Sequence, residues 1–560
     1  MITYLSANQR SEAIQQLQAT HFDLLVIGGG ITGAGIAIDA ATRGMRVALV
    51  EKNDFASGTS SKSTKLVHGG LRYLKQMEIQ LVREVGTERA IVHHLAPHLV
   101  RAEKMLLPLI KGGTYGKTAT SLGLMVYDLL AKVLPEDRRK MLNVDSTKTA
   151  EPLLVRDDLT GGGLYAEYRT DDARLTMELI KTAANHGAIA LNYVEAMEFK
   201  YDQEGKVQGI EAKDHLSEQI FSIAADYTVS AAGPWVDELR DINHSLKGKH
   251  LFHSKGVHIV VPHQRLPLQQ SVYFDVPDGR MMFAIPRNRV TYLGTTDTEY
   301  KGDLDHVVAN VEDVDYILKG VNSMFPTAKL GMDDVESSWA GLRPLIHEEG
   351  KSPSEMSRKD EIFESDNGLI SIAGGKLTGY RKMAERIVDL VARKYRKQHQ
   401  RTFGSCKTAE TVLTGGPFED QKAVFEFEDQ VAEALSSRGL GYDQARYLVS
   451  NYGKQAIELL PSIDQHLANH KPEEAMALAE WEHCVRHELC FTLLDFFNRR
   501  TGRLYFDLPS IDPCRRVIVQ AFSNHFNWSS ERQQAEELTL DQAIQDCSEF
   551  IPFAMAGDTK

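Results

Sequence analysis

Residues 22–33 read FDLLVIGGGITG, and no other stretch restricts the fold of this chain as tightly. FDLLVI is apolar except for Asp23. Such a run marks a strand covered on both faces of a parallel sheet, where polar and apolar residues no longer alternate. Glycines stop it, ITGAGIAIDAATRG has the content of a buried helix closing at Gly44, and RVALVE over 46–51 reads as a second short strand. The order predicts a βαβ unit at the front of the chain. Gly28, Gly30 and Gly33 fit the spacing G-x-G-x-x-G. Gly28 permits the tight turn, Gly30 lets a pyrophosphate approach the backbone, and Gly33 lets helix and strand pack closely. With Ile31 and Thr32 between them, these residues place phosphate on free N–H groups at the positive end of the helix dipole. Glu51 ends the second strand 23 positions after Gly28, where a carboxylate accepts hydrogen bonds from an adenosine ribose, and Lys52 follows it.

The glycine pattern alone does not choose FAD over NAD, although Glu51 favours NAD over NADP. Two more small-residue turns follow candidate strands, Ala231-Ala232-Gly233-Pro234 and Ala373-Gly374-Gly375-Lys376. They let backbone approach one long cofactor from different sides, which favours a resident flavin. Between them and the first unit lies TSSKSTKLVHGGLRYL over 59–74, a density of donors that a loose loop does not need.

At 560 residues the chain exceeds what one core can hold, so roughly two to four domains are expected. The formal net charge of −13 argues against a general nucleic-acid binder, which needs a basic face, but leaves room for a small anionic substrate in an arginine-lined cleft. The cysteines (Cys406, Cys484, Cys490, Cys514 and Cys547) are odd in number, with no CxxC, as expected of free thiols in a reducing cytoplasm. The N-terminus lacks the basic-then-apolar layout of a secretory signal, and no apolar run reaches the roughly 18–20 residues of a spanning helix. The expected location is therefore cytoplasmic, with peripheral attachment to a membrane open.

Along the chain, DARLTMELIKTAANHG over 172–187 predicts a helix with Asp172 near its N-cap. Residues 189–195 and 207–212 read as strands, and YTVSAAGPW over 227–235 as a strand entering a turn. From 256 to 296 the β runs GVHIVVP, SVYFDV, RMMFAIP and RVTYLGTT suggest an antiparallel sheet. Residues 368–395 return to strand, glycine turn and helix; a linker follows Lys397, and helical segments follow the linker.

The first unit, the 59–74 stretch, SAAGPWVD, LGTTDTE, GLRPL and GGKLTGYRKMAE together resemble the FAD-dependent glycerol-3-phosphate dehydrogenase family, in its aerobic bacterial branch. The resemblance runs from about residue 20 to 395, and a helical domain of the expected kind follows. It implies an α/β Rossmann-like FAD-binding domain of the D-amino acid oxidase type, an antiparallel β-sheet substrate domain and an all-helical C-terminal domain. The expected division puts the FAD-binding domain in 20–95, 160–250 and 335–397, the substrate-binding cap in 96–159 and 251–334, and the helical domain in 398–560. The implied reaction oxidises sn-glycerol 3-phosphate to dihydroxyacetone phosphate and passes electrons to quinone, with the protein peripheral on the inner face of the cell membrane. A homodimer is among the assemblies expected. A related oxidase instead gives electrons to dioxygen and makes hydrogen peroxide. Streptococcal-type oxidases carry an insertion in the cap region, for which 300–340 shows no room. A flavin-binding sensor without turnover, and a different flavin substrate such as an amino acid or amine, are the remaining alternatives.

Oxidation of a secondary alcohol needs a base for the hydroxyl proton and a holder for the phosphate dianion. His68 in KLVHGG is the candidate base, since a histidine pKa lies near working pH. Arginine matches phosphate oxygens with its fork. Arg343 in GLRPL, Arg358 in MSRKDE, and Arg72 with Tyr73 in GGLRYL match positions that the family uses at its substrate site. Lys376, after a Gly-Gly turn, can stabilise negative charge on the reduced flavin or polarise the substrate oxygen. Further cofactor contacts are expected from Thr59, Ser60, Ser61, Lys65, Leu66, Gly69 and Gly70, then from Val194, Ala232, Gly233, Gly375, Leu377 and Thr378. Along 59–74 the hydroxyls and Lys65 should serve the pyrophosphate and ribityl chain, His68 the flavin ring, and Arg72 with Tyr73 the substrate phosphate. Arg287 and Arg289 in IPRNRV look like an anion pair but also suit a turn between strands. His483, Cys484, His487 and Cys490 have zinc-like spacings, yet no second ligand pair stands nearby, so no metal is expected.

Overall fold

The computed structural model describes residues 4–67, 79–114, 116, 120, 138–347 and 360–552. The polar segment before the first strand forms α1 (Arg10–Ala19), which buries Ala13, Ile14 and Leu17. Its Arg10 guanidinium donates to Asp214 Oδ1 at 2.5 Å and to the Asn192 carbonyl at 2.7 Å. The extension is therefore a fastened helix at the sheet edge.

β1 (His21–Ile27) is buried from Phe22 onward. Its one charge, Asp23, accepts from the Arg46 backbone N–H at 2.8 Å and from the Arg46 and Arg401 guanidinium groups at 2.9 and 2.8 Å. α2 (Ile31–Thr42) and β2 (Val47–Val50) complete the βαβ unit. The small residues of α2 allow close approach: a methyl on Gly35 would lie 2.9 Å from the Tyr380 ring.

Next come α3 (Ile79–Leu95), β3 (Arg101–Ile110), β4 (Lys140–Leu142), β5 (Leu159–Arg169) and α4 (Asp172–Asn185). The N-cap of α4 is Asp171, whose side chain accepts from the Arg174 N–H, with Asp172 next to it as expected. That leaves Asp172 available to other partners. β6 (Ile189–Leu191) and β7 (Val194–Tyr201) replace the single strand expected over 189–195, because Tyr193 turns the chain at a φ of +58°. β8 (Val207–Asp214), β9 (Ile220–Ser230) and α5 (Val236–Ile242) follow.

The second half opens with β10 (Leu251–Pro262), β11 (Ser271–Asp275), β12 (Met281–Arg287), β13 (Val290–Gly294) and β14 (Thr298–Glu299). α6 (Val311–Met324), β15 (Ser337–Ile346), β16 (Asp360–Glu364), β17 (Ile370–Gly374) and α7 (Tyr380–Gln398) come next. The C-terminal region is helical: α8 (Gln421–Ser436), α9 (Tyr442–Tyr452), α10 (Leu460–Leu467), α11 (Pro472–His487), α12 (Ile511–Phe526) and α13 (Ser530–Ser548). A π-helical turn at Asp495–Arg500 precedes α12.

The strands form two sheets. The first runs β16-β17-β9-β1-β2-β6, parallel except for β16, with β8 and β7 added antiparallel along the early part of β9. The second runs β14-β10-β13-β12-β11-β3-β5-β4, with β15 paired to β10. Two strands expected in the cofactor-binding segments belong to this second sheet. β5 pairs with β3 along most of its length, and β15 pairs with β10 from Leu251↔Ile346 to Val260↔Ser337. Local sequence cannot assign a strand to a sheet; the long ladders do. A separate apolar core under the second sheet joins Val257, Ile259, Phe274 and Leu293 to Val314, Ile317 and Val321 of α6.

Candidate functional site

β1, β2, β9 and β17 all end at the same edge of the first sheet, and the loops that leave them line one cleft. Ligands bind at this edge in open α/β sheets, because the parallel strands there release their loops and helix N-termini together. Gly28 has a φ of +116°, and a methyl on it would lie 2.6 Å from the Ala231 carbonyl oxygen. A methyl on Gly33 would overlap the Gly28 carbonyl oxygen, so this glycine is a packing requirement and does not line the cleft. Gly30, the N-cap of α2, has only Ser60 within 4 Å of such a methyl, at 3.1 Å. Its vacant side is the cradle that a diphosphate requires. The Ile31 N–H is taken by Ser60 Oγ at 2.9 Å, and the following first-turn donors have no acceptor within the helix.

Glu51 is held from two sides. Oε2 accepts from the Gly29 N–H at 2.6 Å and Oε1 from the Asn53 N–H at 2.9 Å. Burial raises its pKa while both N–H donors oppose that rise. The carboxylate is thus fixed before any ribose arrives. Beside it, Lys52 lies 4.6 Å from the centre of the Trp235 ring and pairs with Asp305 at 2.9 Å. Glu51, Lys52 and Trp235 line the cleft together with Val194 and Glu238. The residues present therefore fit an adenine dinucleotide.

Arg343 lines the cleft from β15. Its guanidinium donates to Thr295 Oγ1 at 3.0 Å, to the Thr296 carbonyl at 3.2 Å and to Asp297 at 3.4 Å. A side chain at Gly256 on the neighbouring strand would strike that guanidinium, so the glycine of KGVHIVVP makes room for it. His258, two residues on, also lines the cleft; it is 1% exposed, and its ring stacks on Trp339 at 4.9 Å and 12°. Nε2 lies 3.0 Å from Thr64 Oγ1, while Nδ1 has no partner among the described residues. Burial, then the charges of Arg343 and Lys65, hold its pKa well below the ordinary histidine value.

Of the residues singled out in the sequence, Gly28, Gly30, Ile31, Thr32, Glu51, Lys52, Thr59, Ser60 and Leu66 line this cleft. So do Val194, Ala232, Gly233, Arg343, Gly375, Lys376, Leu377 and Thr378. His68, Gly69, Gly70, Arg72, Tyr73 and Arg358 lie outside the described residues. Lys65 and Ser61 do not line the cleft. The Lys65 ammonium is 2% exposed and donates to Asp172 Oδ1 at 2.5 Å and to the Ser61 carbonyl at 3.0 Å. A buried ammonium goes where a carboxylate can compensate it, and the available Asp172 draws it away from the cofactor. Arg287 and Arg289 are likewise spent, on Asp171 at 2.8 Å and Glu336 at 2.5 Å. Cys484 is fully buried and its thiol pKa is pushed up by burial; among the described residues no group of three or more His, Cys, Asp or Glu could hold a metal ion.

The sequence reading passed over Lys62, Thr64, Trp235, Glu238, His258 and Gly341, all at the cleft. His258 carried a signal, as the single histidine in the otherwise apolar run VHIVV. Lys62 stood inside the donor-rich stretch. Burial, then the Arg499 charge, lowers its pKa to about 8.

Comparison with known proteins agrees with this geometry. Residues 23–381 match the FAD dependent oxidoreductase family, and residues 406–533 match the C-terminal domain of alpha-glycerophosphate oxidase. The aerobic glycerol-3-phosphate dehydrogenase of Bacillus subtilis (strain 168) is 48% identical over 543 residues, 97% of this chain and 98% of that one. The structure of the glycerol-3-phosphate dehydrogenase from Bacillus halodurans complexed with FAD superposes with a TM-score of 0.83 at 44% identity, covering 97% of this chain and 99% of that chain. The L-alpha-glycerophosphate oxidase from Mycoplasma pneumoniae with FAD bound covers 69% of this chain and 97% of its own, at a TM-score of 0.55 and 18% identity, which is a likeness of fold alone. With near-complete coverage and nearly half of all positions shared, the chain belongs to the FAD-dependent oxidoreductase family, in its branch of bacterial aerobic glycerol-3-phosphate dehydrogenases.

Proposed function

We propose that this chain oxidises sn-glycerol 3-phosphate to dihydroxyacetone phosphate on its FAD and hands the electrons to a quinone at a membrane surface. The observation that carries this reading is the pairing of β10 with β15, which sets His258 and Arg343 on the wall of the cofactor cleft. Bound FAD supplies the two-electron acceptor for the hydride from C2. Arg343, its fork already oriented by Thr295, Thr296 and Asp297, holds the substrate phosphate.

His258 enters the reaction neutral, because burial and the Arg343 and Lys65 charges oppose its protonation. A phosphate dianion beside Arg343 offsets part of that opposition and raises the basicity of the imidazole when substrate is present. His258 then accepts the hydroxyl proton as the hydride leaves. His68 remains a second candidate for this role, with Arg72, Tyr73 and Arg358 as further phosphate contacts. Lys376, on the turn after β17, stabilises negative charge at the flavin edge. Among the described residues no helix is long and apolar enough to cross a membrane, so access to quinone is proposed to be peripheral.

Anaerobic mixing with glycerol 3-phosphate tests the reading. The yellow flavin should bleach, Arg343→Lys should raise the substrate concentration needed by roughly tenfold or more, and His258→Asn should mainly slow bleaching. A flavin spectrum indifferent to glycerol 3-phosphate overturns the substrate assignment. Stoichiometric peroxide in air, at the turnover rate and without quinone, overturns the acceptor.

A further inference from the structure

Among the described residues, the helical C-terminal domain contributes none to the lining of the cleft. It nevertheless holds two loops whose residues line the cleft around Glu51. One loop, 51–55, carries Glu51 and Lys52; the other, 192–194, carries Val194. They are laced together, with Tyr193 N–H donating to the Asn53 carbonyl at 2.9 Å and Val194 N–H to the Glu51 carbonyl at 2.8 Å.

Both loops end in contacts with the π-helical turn Asp495–Arg500. Arg500 spans the Asp54 carboxylate with two bonds of 2.7 and 2.8 Å, and Arg499 Nε adds a third at 2.5 Å. Asn192 Nδ2 donates to the same carboxylate at 2.8 Å and to the Leu489 carbonyl at 3.0 Å. The Tyr193 hydroxyl donates to Asp495 Oδ1 at 2.5 Å, which also receives Arg499 at 2.8 Å. Asp495 is itself fixed by the Phe491 and Thr492 N–H groups at 3.0 and 3.1 Å. Burial pushes the Asp54 carboxyl up, and the Arg500 and Arg499 charges outweigh it, so the carboxylate stays ionised. Asp54, Asn192 and Tyr193 each find a partner across the domain boundary, in Arg499 and Arg500, in the Leu489 carbonyl and in Asp495.

From this arrangement we infer that the C-terminal helical domain is an adenosine clamp. Arg499, Arg500 and Asp495 act as positioning residues that hold the Asp54 and Tyr193 loops, and with them Glu51 and Val194, in the shape that binds the ADP half of the cofactor. The inference rests on FAD as the cofactor and is independent of the substrate proposed above.

The test uses the full-length apoprotein without glycerol 3-phosphate, titrated with FAD, with ADP and with FMN, which carries the flavin but no adenosine. Tyr193→Phe and Arg499→Gln should each weaken FAD and ADP by the same factor, about tenfold, the worth of one charge-assisted hydrogen bond. FMN binding should stay at its wild-type value, and Arg499→Lys should recover part of the ADP affinity. Tyr193→Phe removes one oxygen and keeps the proposal testable if Arg499→Gln does not fold. Unchanged ADP affinity in a folded variant overturns the clamp, and so does an equal fall for FMN, which would make the junction a general stabiliser.

Discussion

Two glycines two positions apart should fail in opposite ways. Gly28 combines a φ of +116° with a would-be methyl 2.6 Å from the Ala231 carbonyl oxygen. Gly28→Ala therefore adds backbone strain of order 1–3 kcal/mol to overpacking of similar size. The clash is with a backbone atom of the loop after β9, so relief requires the first loop to move away from its neighbour. Gly30 is different. Its φ of −77° and ψ of 179° suit alanine, and the nearest atom to a methyl is Ser60 Oγ at 3.1 Å, the end of a small side chain. Gly30→Ala should leave the apoprotein as stable as wild type, or up to about 1 kcal/mol more so through a less flexible unfolded chain. The methyl then stands where a diphosphate must lie. An overpacking cost of roughly 1–3 kcal/mol in the complex alone corresponds to FAD binding weaker by roughly five- to hundredfold. The assay pairs thermal unfolding of the two apoproteins with titration by FAD, followed through flavin fluorescence. Gly28→Ala should lower the apoprotein melting temperature by several degrees, and Gly30→Ala should not. Wild-type FAD affinity in Gly30→Ala, or a loss of apoprotein stability larger than that of Gly28→Ala, refutes the assignment of the two roles.

Two pH dependences follow from buried groups. Lys62 has a folded pKa of about 8 against an ordinary 10.5, so the cost of burying its ammonium is complete below pH 8 and disappears as the pH rises toward 10.5. Apoprotein stability relative to Lys62→Met should therefore rise across that window, and a flat difference in pH-resolved denaturant melts would count against it. On the acid side, burial lowers His98 to about 3 and His483 to about 4 from 6.5. The unfolded chain takes up those protons first, so stability present above pH 6.5 should be lost as the pH falls toward 4. His98→Phe, which keeps a ring against Phe418, should lose less over the same range; an unchanged acid limb would mean that other groups dominate.

The nucleotide half of the site was legible because its information is contiguous. An apolar strand, three glycines, a helix and a terminal glutamate span 22–51, and each acts on near neighbours through turn geometry, helix ends and β pairing. The same holds for the turns at 231–234 and 373–376, and for the antiparallel texture of 256–296. For the proposed substrate side, short-range patterns named Arg343 but could not say what stands beside it. His258 reached the cleft because β10 pairs with β15 at a separation of some eighty residues, with His258 opposite Trp339.

Where side chains compete for partners, the outcome belonged to tertiary structure. Lys65 sits in a donor-rich stretch beside the nucleotide unit, yet Asp172, 107 positions away, captures its ammonium. An ammonium buried as Lys65 is needs an ionic partner to offset its desolvation, and Asp172 is the one the fold places against it. The membership of β5 and β15 in the second sheet follows the same logic, since a strand's own residues specify an extended backbone and a buried face but not the neighbour that completes its ladder. The C-terminal helices were predictable as helices from their periodicity alone. Their grip on the loops around Glu51 was not, because it is made of single polar contacts between residues more than 300 positions apart, such as the ion pairs of Asp54 with Arg499 and Arg500 or the hydrogen bond from Tyr193 to Asp495. Periodicity is local and survives in one dimension; complementarity between distant charges exists only once the chain has folded.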